Sequence, residues 1–451
     1  MSRKYDIVII GSGPAGYTSA IRASQLGAKT AVIEAGFVGG VCLNRGCIPS
    51  KSMLFQTQKF ADCKSLDKYG ISIENLSFDF AKMLENRTTT IEKIRKSLEN
   101  TITSNGAEII CGMAKLDENG RLFVKDEQIE YGKLIIATGA KPRPLPGMPF
   151  DNHFIINSDT MLCLKEMPET TFIIGSGAIG IEWARILSAM GKKVIIMELA
   201  DRLAPFTDEN VSKYVERIMK KQRIEFYTST SIKSIEDRKV ILSNDKEFEV
   251  DKILVAVGRI PNLMGIDKPG FETDRGFIKT DENFKTNLDN VYAIGDITGI
   301  QMLAHTASYQ AMQLIEHLLL NKPVEINYKN VPYIVYGKPE IACVGYTEAK
   351  LKAENIEYEA IQLPLTISAK AYIDGETDSM VKILVSNDLI VGAAIIANDA
   401  SALLQQLTIA MDRKIKVSEL IEVVFPHPTT SEALLEALAS FHNKSLHVRK
   451  V

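Results

Sequence analysis

Tyr5-Asp6-Ile7-Val8-Ile9-Ile10-Gly11-Ser12-Gly13-Pro14-Ala15-Gly16 decides the fold. The unbroken apolar run Ile7 to Ile10 is the pattern of a strand buried on both faces in a parallel sheet. A glycine-rich turn follows at once, then a helical stretch from about Ala15 to Leu26. Gly27-Ala28-Lys29 turns the chain, Thr30 to Ile33 forms a second strand, and Glu34 stands at its end. In this order of elements the glycines let the backbone approach a pyrophosphate at the positive end of a helix, and the acid takes a ribose 2′-hydroxyl. Gly11, Gly13, Pro14, Ala15, Gly16 and Glu34 are therefore candidate dinucleotide-binding residues.

The unit recurs. Thr171 to Ile174 leads into Gly175-Ser176-Gly177-Ala178-Ile179-Gly180, a helix through Met190, a strand Val194 to Met197, and Glu198. Gly11 to Glu34 and Gly175 to Glu198 both span 23 positions, and Gly27 and Gly191 keep the offset of 164 that separates the two motifs. Gly175, Gly177, Ile179, Gly180 and Glu198 mark a second dinucleotide site. Each unit continues through short strands that read as an antiparallel excursion, one returning at Lys133 to Ala140 and the other at Lys252 to Arg259. Three prolines in Lys141 to Gly147 exclude helix and central strand, so a linker is expected there, with a second junction at Pro261-Asn262. From about Pro332 the pattern changes to alternating strands with helices near Ser401 to Asp412 and Thr430 to Phe441, an antiparallel sheet covered by helices on one side. The expected class is α/β, two Rossmann-like dinucleotide-binding domains with a C-terminal α+β domain.

Between the two units lies Gly39-Gly40-Val41-Cys42-Leu43-Asn44-Arg45-Gly46-Cys47-Ile48-Pro49-Ser50-Lys51. A disulfide needs Cα atoms about 4.4–6.8 Å apart, whereas five residues of straight helix rise about 7.5 Å. A Cys42–Cys47 bridge thus requires a distorted first turn, with Gly39, Gly40 and Gly46 to supply it and Pro49 in the first turn of a helix. Spacing alone leaves a redox pair and two buried structural thiols equally open. No second Cys/His cluster accompanies the pair, so no metal is expected. Six cysteines in 451 residues do not make a disulfide scaffold, and a redox pair here would be catalytic in a reducing compartment. Cys63, Cys111, Cys163 and Cys343 read as packing residues. The net charge of −3 argues against nucleic acid. No apolar run reaches the length of a membrane span, and the first strand starts too early for a leader peptide, which makes the cytoplasm the expected compartment.

Two dinucleotide folds and a cysteine pair imply an electron relay between a nicotinamide, a flavin and a dithiol. Here the chain resembles the pyridine nucleotide-disulfide oxidoreductase family over its whole length. The motif Leu43-Asn44-x-Gly46-Cys47-Ile48-Pro49-Ser50-Lys51 and the triplet Leu303-Ala304-His305 are similar to its dihydrolipoamide dehydrogenase branch. The resemblance implies FAD at the first fingerprint and NAD at the second. FAD contacts would also come from Gly40, Val41, Cys42, Lys51, Thr138, Gly139, Asp296, Met302, Leu303, Ala304 and His305, and further cofactor contacts from Glu182, Gly258 and Arg259. It implies that Cys42 meets the substrate and Cys47 faces the flavin, with a Lys51–Glu182 ion pair beside the ring. Taken alone, those two charges read as solvated surface residues, and Asp296 equally as a helix cap. The helix near Thr306 would aim its positive end at the flavin, with His305 as a positioning residue. The catalytic base would be His427, oriented by Glu432, reaching the disulfide of the other subunit of a homodimer. The partner would be a lipoyl-bearing carrier protein, and a carboxylate at Glu198 would repel the 2′-phosphate of NADP.

On this basis residues 1–145 and 263–331 form the FAD-binding part, 146–262 the NAD-binding domain and 332–451 the dimerisation domain. The implied reaction is oxidation of dihydrolipoamide by NAD⁺. Its rivals are a disulfide reductase for a low-molecular-weight disulfide and a non-catalytic flavoprotein subunit. Two positions depart from the branch: Phe425 stands where many members carry a further histidine, and Arg45 replaces a small apolar residue. Arg45 admits three readings: it lowers a thiol pKa, meets an acidic carrier domain, or makes an ordinary surface pair.

Overall fold

The computed structural model describes residues 3–448. Strand Arg3–Ile10 is central to a seven-stranded sheet, paired in parallel with Thr30–Glu34 on one side and Glu127–Ile136 on the other. Its apolar run sends Ile7 and Ile9 to one buried face and Val8 and Ile10 to the other. Because successive strand side chains alternate, only a strand covered on both sides accepts such a run. One cover is the pair of helices Pro14–Gln25 and Ala304–Leu320, whose small residues Ala15, Ala20, Ala23, Ala307 and Ala311 are buried there. Glu108–Cys111 extends the sheet in parallel beyond Thr30–Glu34. The antiparallel hairpin Ala114–Leu116/Leu122–Val124 extends it at the other side, and Val291–Ala293 pairs in parallel with Glu127–Ile136.

The second repeat builds a five-stranded parallel sheet in the order Glu225–Tyr227, Lys193–Met197, Thr170–Ile174, Lys252–Val255, Ile155–Ile156. Its excursion differs from the first: Ile232–Glu236, Lys239–Leu242 and Glu247–Glu249 form a separate antiparallel sheet that packs on Phe172, Ile195 and Ile253. The two proline-marked junctions lie side by side, Ala140–Pro142 pairing with Arg259–Pro261. Proline tolerates this two-stranded ribbon because no central ladder bond is needed from its nitrogen.

Helix Ala178–Ala189 is buried from Gly180 to Leu187. It is enclosed by its own sheet, by helix Cys47–Cys63 and by strand Tyr333–Val335. The C-terminal part is a five-stranded antiparallel sheet in the order Tyr333–Val335, Glu340–Gly345, Leu389–Ala397, Met380–Ser386, Glu359–Pro364. One face packs on helices Ala400–Asp412 and Glu432–Ser440, and the other joins the core around Trp183. Leu434 and Leu438 are 1% exposed, and each buried leucine stabilises by about 2 kcal/mol, which fixes the helix that presents Glu432. Among the described residues no helix is long and apolar enough to cross a membrane.

Candidate active site

Cys42 and Cys47 form a disulfide with Cα atoms 4.6 Å apart. The helical rise that opposed this pairing is removed by a break. Cys42 lies on its own short helix, Gly40–Arg45, and Cys47 opens Cys47–Cys63. At Gly46 between them, an added Cβ would meet the Val41 carbonyl oxygen at 3.1 Å. Gly40 has φ +59°, and a Cβ there would stand 2.6 Å from Gly13 Cα. Only glycine accepts both conditions, so the cysteine stretch is pressed against the first glycine turn. Asn44 Nδ2 donates to the Gly40 carbonyl at 2.9 Å and the Val38 carbonyl at 3.0 Å, while its Oδ1 accepts from Arg95 Nε at 3.0 Å.

One turn on, Lys51 Nζ donates to Glu182 Oε1 at 2.9 Å and Oε2 at 2.8 Å. Glu182 is 4% exposed, which corrects the solvated reading of these two charges. Its Oε1 also accepts from Tyr336 N at 3.1 Å, and Lys51 Nζ lies 4.6 Å from the centre of the Tyr336 ring. A buried carboxylate is retained only when paired and hydrogen-bonded. The bond therefore locks the disulfide-bearing helix to the helix of the second glycine turn.

The two glycine turns are built alike. A Cβ at Gly16 would lie 1.8 Å from the Gly11 carbonyl oxygen, and one at Gly180 would lie 2.0 Å from that of Gly175. A Cβ at Gly177 would meet no atom within 4 Å, and one at Gly13 would meet the Gly40 Cα at 3.9 Å, an ordinary contact distance. Glu34 Oε2 accepts from Ser12 N at 3.0 Å and Ser12 Oγ at 2.6 Å, and Glu198 Oε2 accepts from Ser176 N at 2.8 Å and Ser176 Oγ at 2.7 Å. These serines aim both carboxylates; sequence reasoning missed them, although they share the same offset as the glycines. Glu34, Phe37, Val38, Ile109 and Cys111 line a cavity of about 310 Å³. Cys111 and Cys163 are exposed, contrary to the packing role expected of them.

Four further candidate residues lie outside the two glycine turns. Thr138 Oγ1 is buried without a partner. Asp296 lies in the turn Gly295–Thr298 and caps no helix. Burial pushes its carboxyl above the usual range, opposed by the Arg259 guanidinium. Arg259 itself sits in the linker ribbon with its guanidinium on the Ala140 carbonyl. His305 falls inside helix Ala304–Leu320 rather than ahead of it. Its Nε2 meets the Pro332 carbonyl at 2.9 Å, and burial holds its pKa down, which suits a neutral positioning group. Arg45 lies 3.4 Å from Asp159, the ordinary surface pair among its three readings.

The family model of the pyridine nucleotide-disulphide oxidoreductases matches residues 5–311, and that of their dimerisation domain matches residues 331–438. The chain belongs to this family. Dihydrolipoyl dehydrogenases from Bacillus subtilis and Chlamydia muridarum are 34% and 35% identical to it, each over 99% of this chain and 98–99% of the relative. Among solved structures, LpdA from Mycobacterium tuberculosis shares the fold with a TM-score of 0.88 at 24% identity, over 97% of this chain and 99% of that one. The flavoprotein disulfide reductase RclA from Escherichia coli gives 0.85 at 26% identity, over 96% and 99%.

As a member of the pyridine nucleotide-disulphide oxidoreductases, the protein is an FAD-dependent oxidoreductase that also uses NAD. Two cradles that only glycine fits, the orphaned Thr138 hydroxyl and the part-buried Asp296 suit these groups. The predicted base lies elsewhere in the fold. His427 Nδ1 is 2.8 Å from Glu432 Oε1, and Glu432 Oε2 accepts from Thr429 N at 2.8 Å. These bonds, the Thr429 amide first, hold Glu432 below the usual carboxylate range. Helix Glu432–Ser440 packs on strands Glu359–Pro364 and Met380–Ser386, whereas helix Cys47–Cys63 packs on Ala178–Ala189 and Phe80–Ser104.

Proposed function

We propose that the protein oxidises the dihydrolipoamide of a lipoyl-bearing carrier protein to lipoamide, with NAD⁺ as final acceptor. The observation that carries this reading is the Cys42–Cys47 disulfide, set across a helix break and tied by Lys51 and Glu182 to the second glycine turn. Bound FAD supplies two-electron chemistry, accepting the pair from a dithiol and returning it as hydride to a nicotinamide.

The chain's own residues do the rest. His427 takes a proton from the substrate dithiol, and Glu432 fixes its tautomer and stabilises the imidazolium. The substrate thiolate attacks Cys42 Sγ, and Cys47 leaves as a thiolate. The second substrate sulfur then attacks the substrate sulfur of the mixed disulfide, its proton passing to the departing Cys42 sulfur, which releases lipoamide and the Cys42 thiol while the first proton stays on His427. Two electrons and two protons leave the substrate; the cysteines hold both electrons. Lys51 places a cation beside the flavin site, and Thr138, Gly139, Met302, Leu303 and Ala304 line it. Gly258 and Arg259 close the junction between the two nucleotide sites. With both Glu198 oxygens already aimed by Ser176 and Ala200, its charge selects NAD over NADP.

We place the reaction in a homodimer, because His427 and the disulfide sit on separate packing units of one chain. The 2-oxo acid dehydrogenase and glycine-cleavage systems both present a suitable dithiol. Unpaired Cys63, Cys111, Cys163 and Cys343 fit a reducing cytoplasm. Mixing His427→Ala with Cys42→Ser protomers tests the shared site. Hybrid dimers carry one intact site and regain part of the dihydrolipoamide–NAD⁺ activity; verified hybrids without recovery would contradict it.

A further inference from the structure

Arg185 is a buried cation that the reaction leaves unused. It follows Glu182 by one turn on helix Ala178–Ala189 and is 4% exposed. Its Nε and Nη2 are buried without a hydrogen-bond partner. Burial lowers its pKa to about 10, although the charges of Glu182 and Glu340 oppose the shift. An apolar side chain of similar volume would fill such a place without the cost of desolvating a charge.

What the guanidinium holds is one stretch of backbone. Its Nη1 donates to the Pro339 carbonyl at 2.7 Å and to the Tyr336 carbonyl at 3.3 Å. Gly337 lies between them, and a Cβ there would stand 2.4 Å from Nη1, so only glycine admits the guanidinium. Tyr336 is thereby gripped at both ends, its carbonyl by Arg185 and its N–H by Glu182 Oε1. Its ring centre stands 4.6 Å from Lys51 Nζ. Residues three apart on a helix share a face, and this face fixes the one residue that touches both members of the Lys51–Glu182 pair.

We infer that Arg185 is a positioning residue for Lys51, acting through Tyr336 and Glu182. The inference rests on the reading that Lys51 places its charge beside the flavin site. Without Arg185 the Tyr336 segment is free to lift from Glu182, and the lysine ammonium regains the freedom of its flexible stem. A cation fixed beside the ring favours the reduced, negatively charged flavin, and a loosened one favours it less. Neighbouring charges are engaged elsewhere: Lys338 pairs with Asp62 at 3.0 Å, and Glu340 accepts from Ser401 N at 2.8 Å.

The test is the ratio of reduced to oxidised flavin in the FAD-loaded protein, read by absorbance against a reference dye at fixed potential. Arg185→Met should lower that ratio about threefold, a coupling at the weak end for residues in one hydrogen-bonded network. In a Lys51→Met background the same substitution should change nothing further, because the lysine it acts through is gone. Gly337→Ala, whose methyl drives the guanidinium off both carbonyls, should repeat the pattern and serves if Arg185→Met does not hold FAD. An unchanged ratio, or an equal drop with and without Lys51, would overturn the inference and leave Arg185 a structural tie. Failure of the underlying reading looks different: Lys51→Met alone would then match the parent, and Lys51 would not stand beside the flavin.

Discussion

Gly177→Ala separates nucleotide binding from folding. Gly177 precedes helix Ala178–Ala189 at φ −71° and ψ −177°, extended backbone that any residue adopts. A Cβ built there meets no atom within 4 Å. The substitution should therefore leave the thermal midpoint within about 1 °C of the parent. What the methyl fills is the space over the first free N–H groups of the helix, where a pyrophosphate must approach. Losing one charge-assisted hydrogen bond costs about 1.5–3 kcal/mol, or about 10- to 150-fold in affinity. Gly180→Ala is the contrast. Its Cβ would stand 2.0 Å from the Gly175 carbonyl oxygen, so the backbone must move at a cost of about 1–3 kcal/mol, and stability falls with affinity. Calorimetric titration of the FAD-loaded variants with NADH, beside thermal scans and FAD content by absorbance, reads both effects. An NADH affinity of Gly177→Ala within about twofold of the parent, a margin of about 0.4 kcal/mol, would refute the assignment of this turn to the pyrophosphate.

Two further outcomes follow from groups outside the reaction. Cys111 and Cys163 are exposed, whereas burial pushes the Cys343 thiol up to about 12. A neutral-pH maleimide should label Cys163 readily, label Cys111 more slowly when FAD fills the cavity beside Glu34, and reach Cys343 only on unfolding; rapid native labelling of Cys343 by mass spectrometry would contradict this. Glu436 ionises below its ordinary 4.5 in the folded chain, so its contribution is complete above that value and is lost as pH falls through the folded-state pKa. The stability gap between parent and Glu436→Gln should close in thermal scans as pH drops below about 4.5, and a gap that widened in acid would reverse the assigned sign.

The nucleotide folds were legible because their requirement is local: a run of four apolar residues, glycines at fixed offsets and an acid at the strand end. The same offset would have yielded Ser12 and Ser176, the donors that aim Glu34 and Glu198. The distortion at the cysteine pair was legible from the helical rise, with Gly46 among the glycines to supply it; that it takes the form of two helices broken at Gly46 was not, since the break depends on contact with Val41. Nor was the burial of Glu182, which follows from enclosure of its helix by three elements distant in sequence. Ile155–Ile156 is too short to show a strand period. The misreading of Cys111 and Cys163 came from the average burial of cysteine, which says nothing of residues at a strand end and a helix end. His427 and Glu432 came from the resemblance to the family, and the five positions between them put the carboxylate within reach of the ring.

In the proposed reaction the Cys42–Cys47 disulfide takes electrons from a lipoyl dithiol, and they pass by way of bound FAD to NAD⁺. Anaerobic addition of free dihydrolipoamide to the FAD-loaded protein, followed by flavin absorbance and thiol mapping, tests it most directly. The flavin spectrum should change as Cys42 and Cys47 become alkylatable, NAD⁺ should restore the oxidised spectrum while NADP⁺ does so poorly, and Cys47→Ser should keep FAD but lose the response. A flavin that stays oxidised, with the disulfide intact under excess dihydrolipoamide, would contradict it.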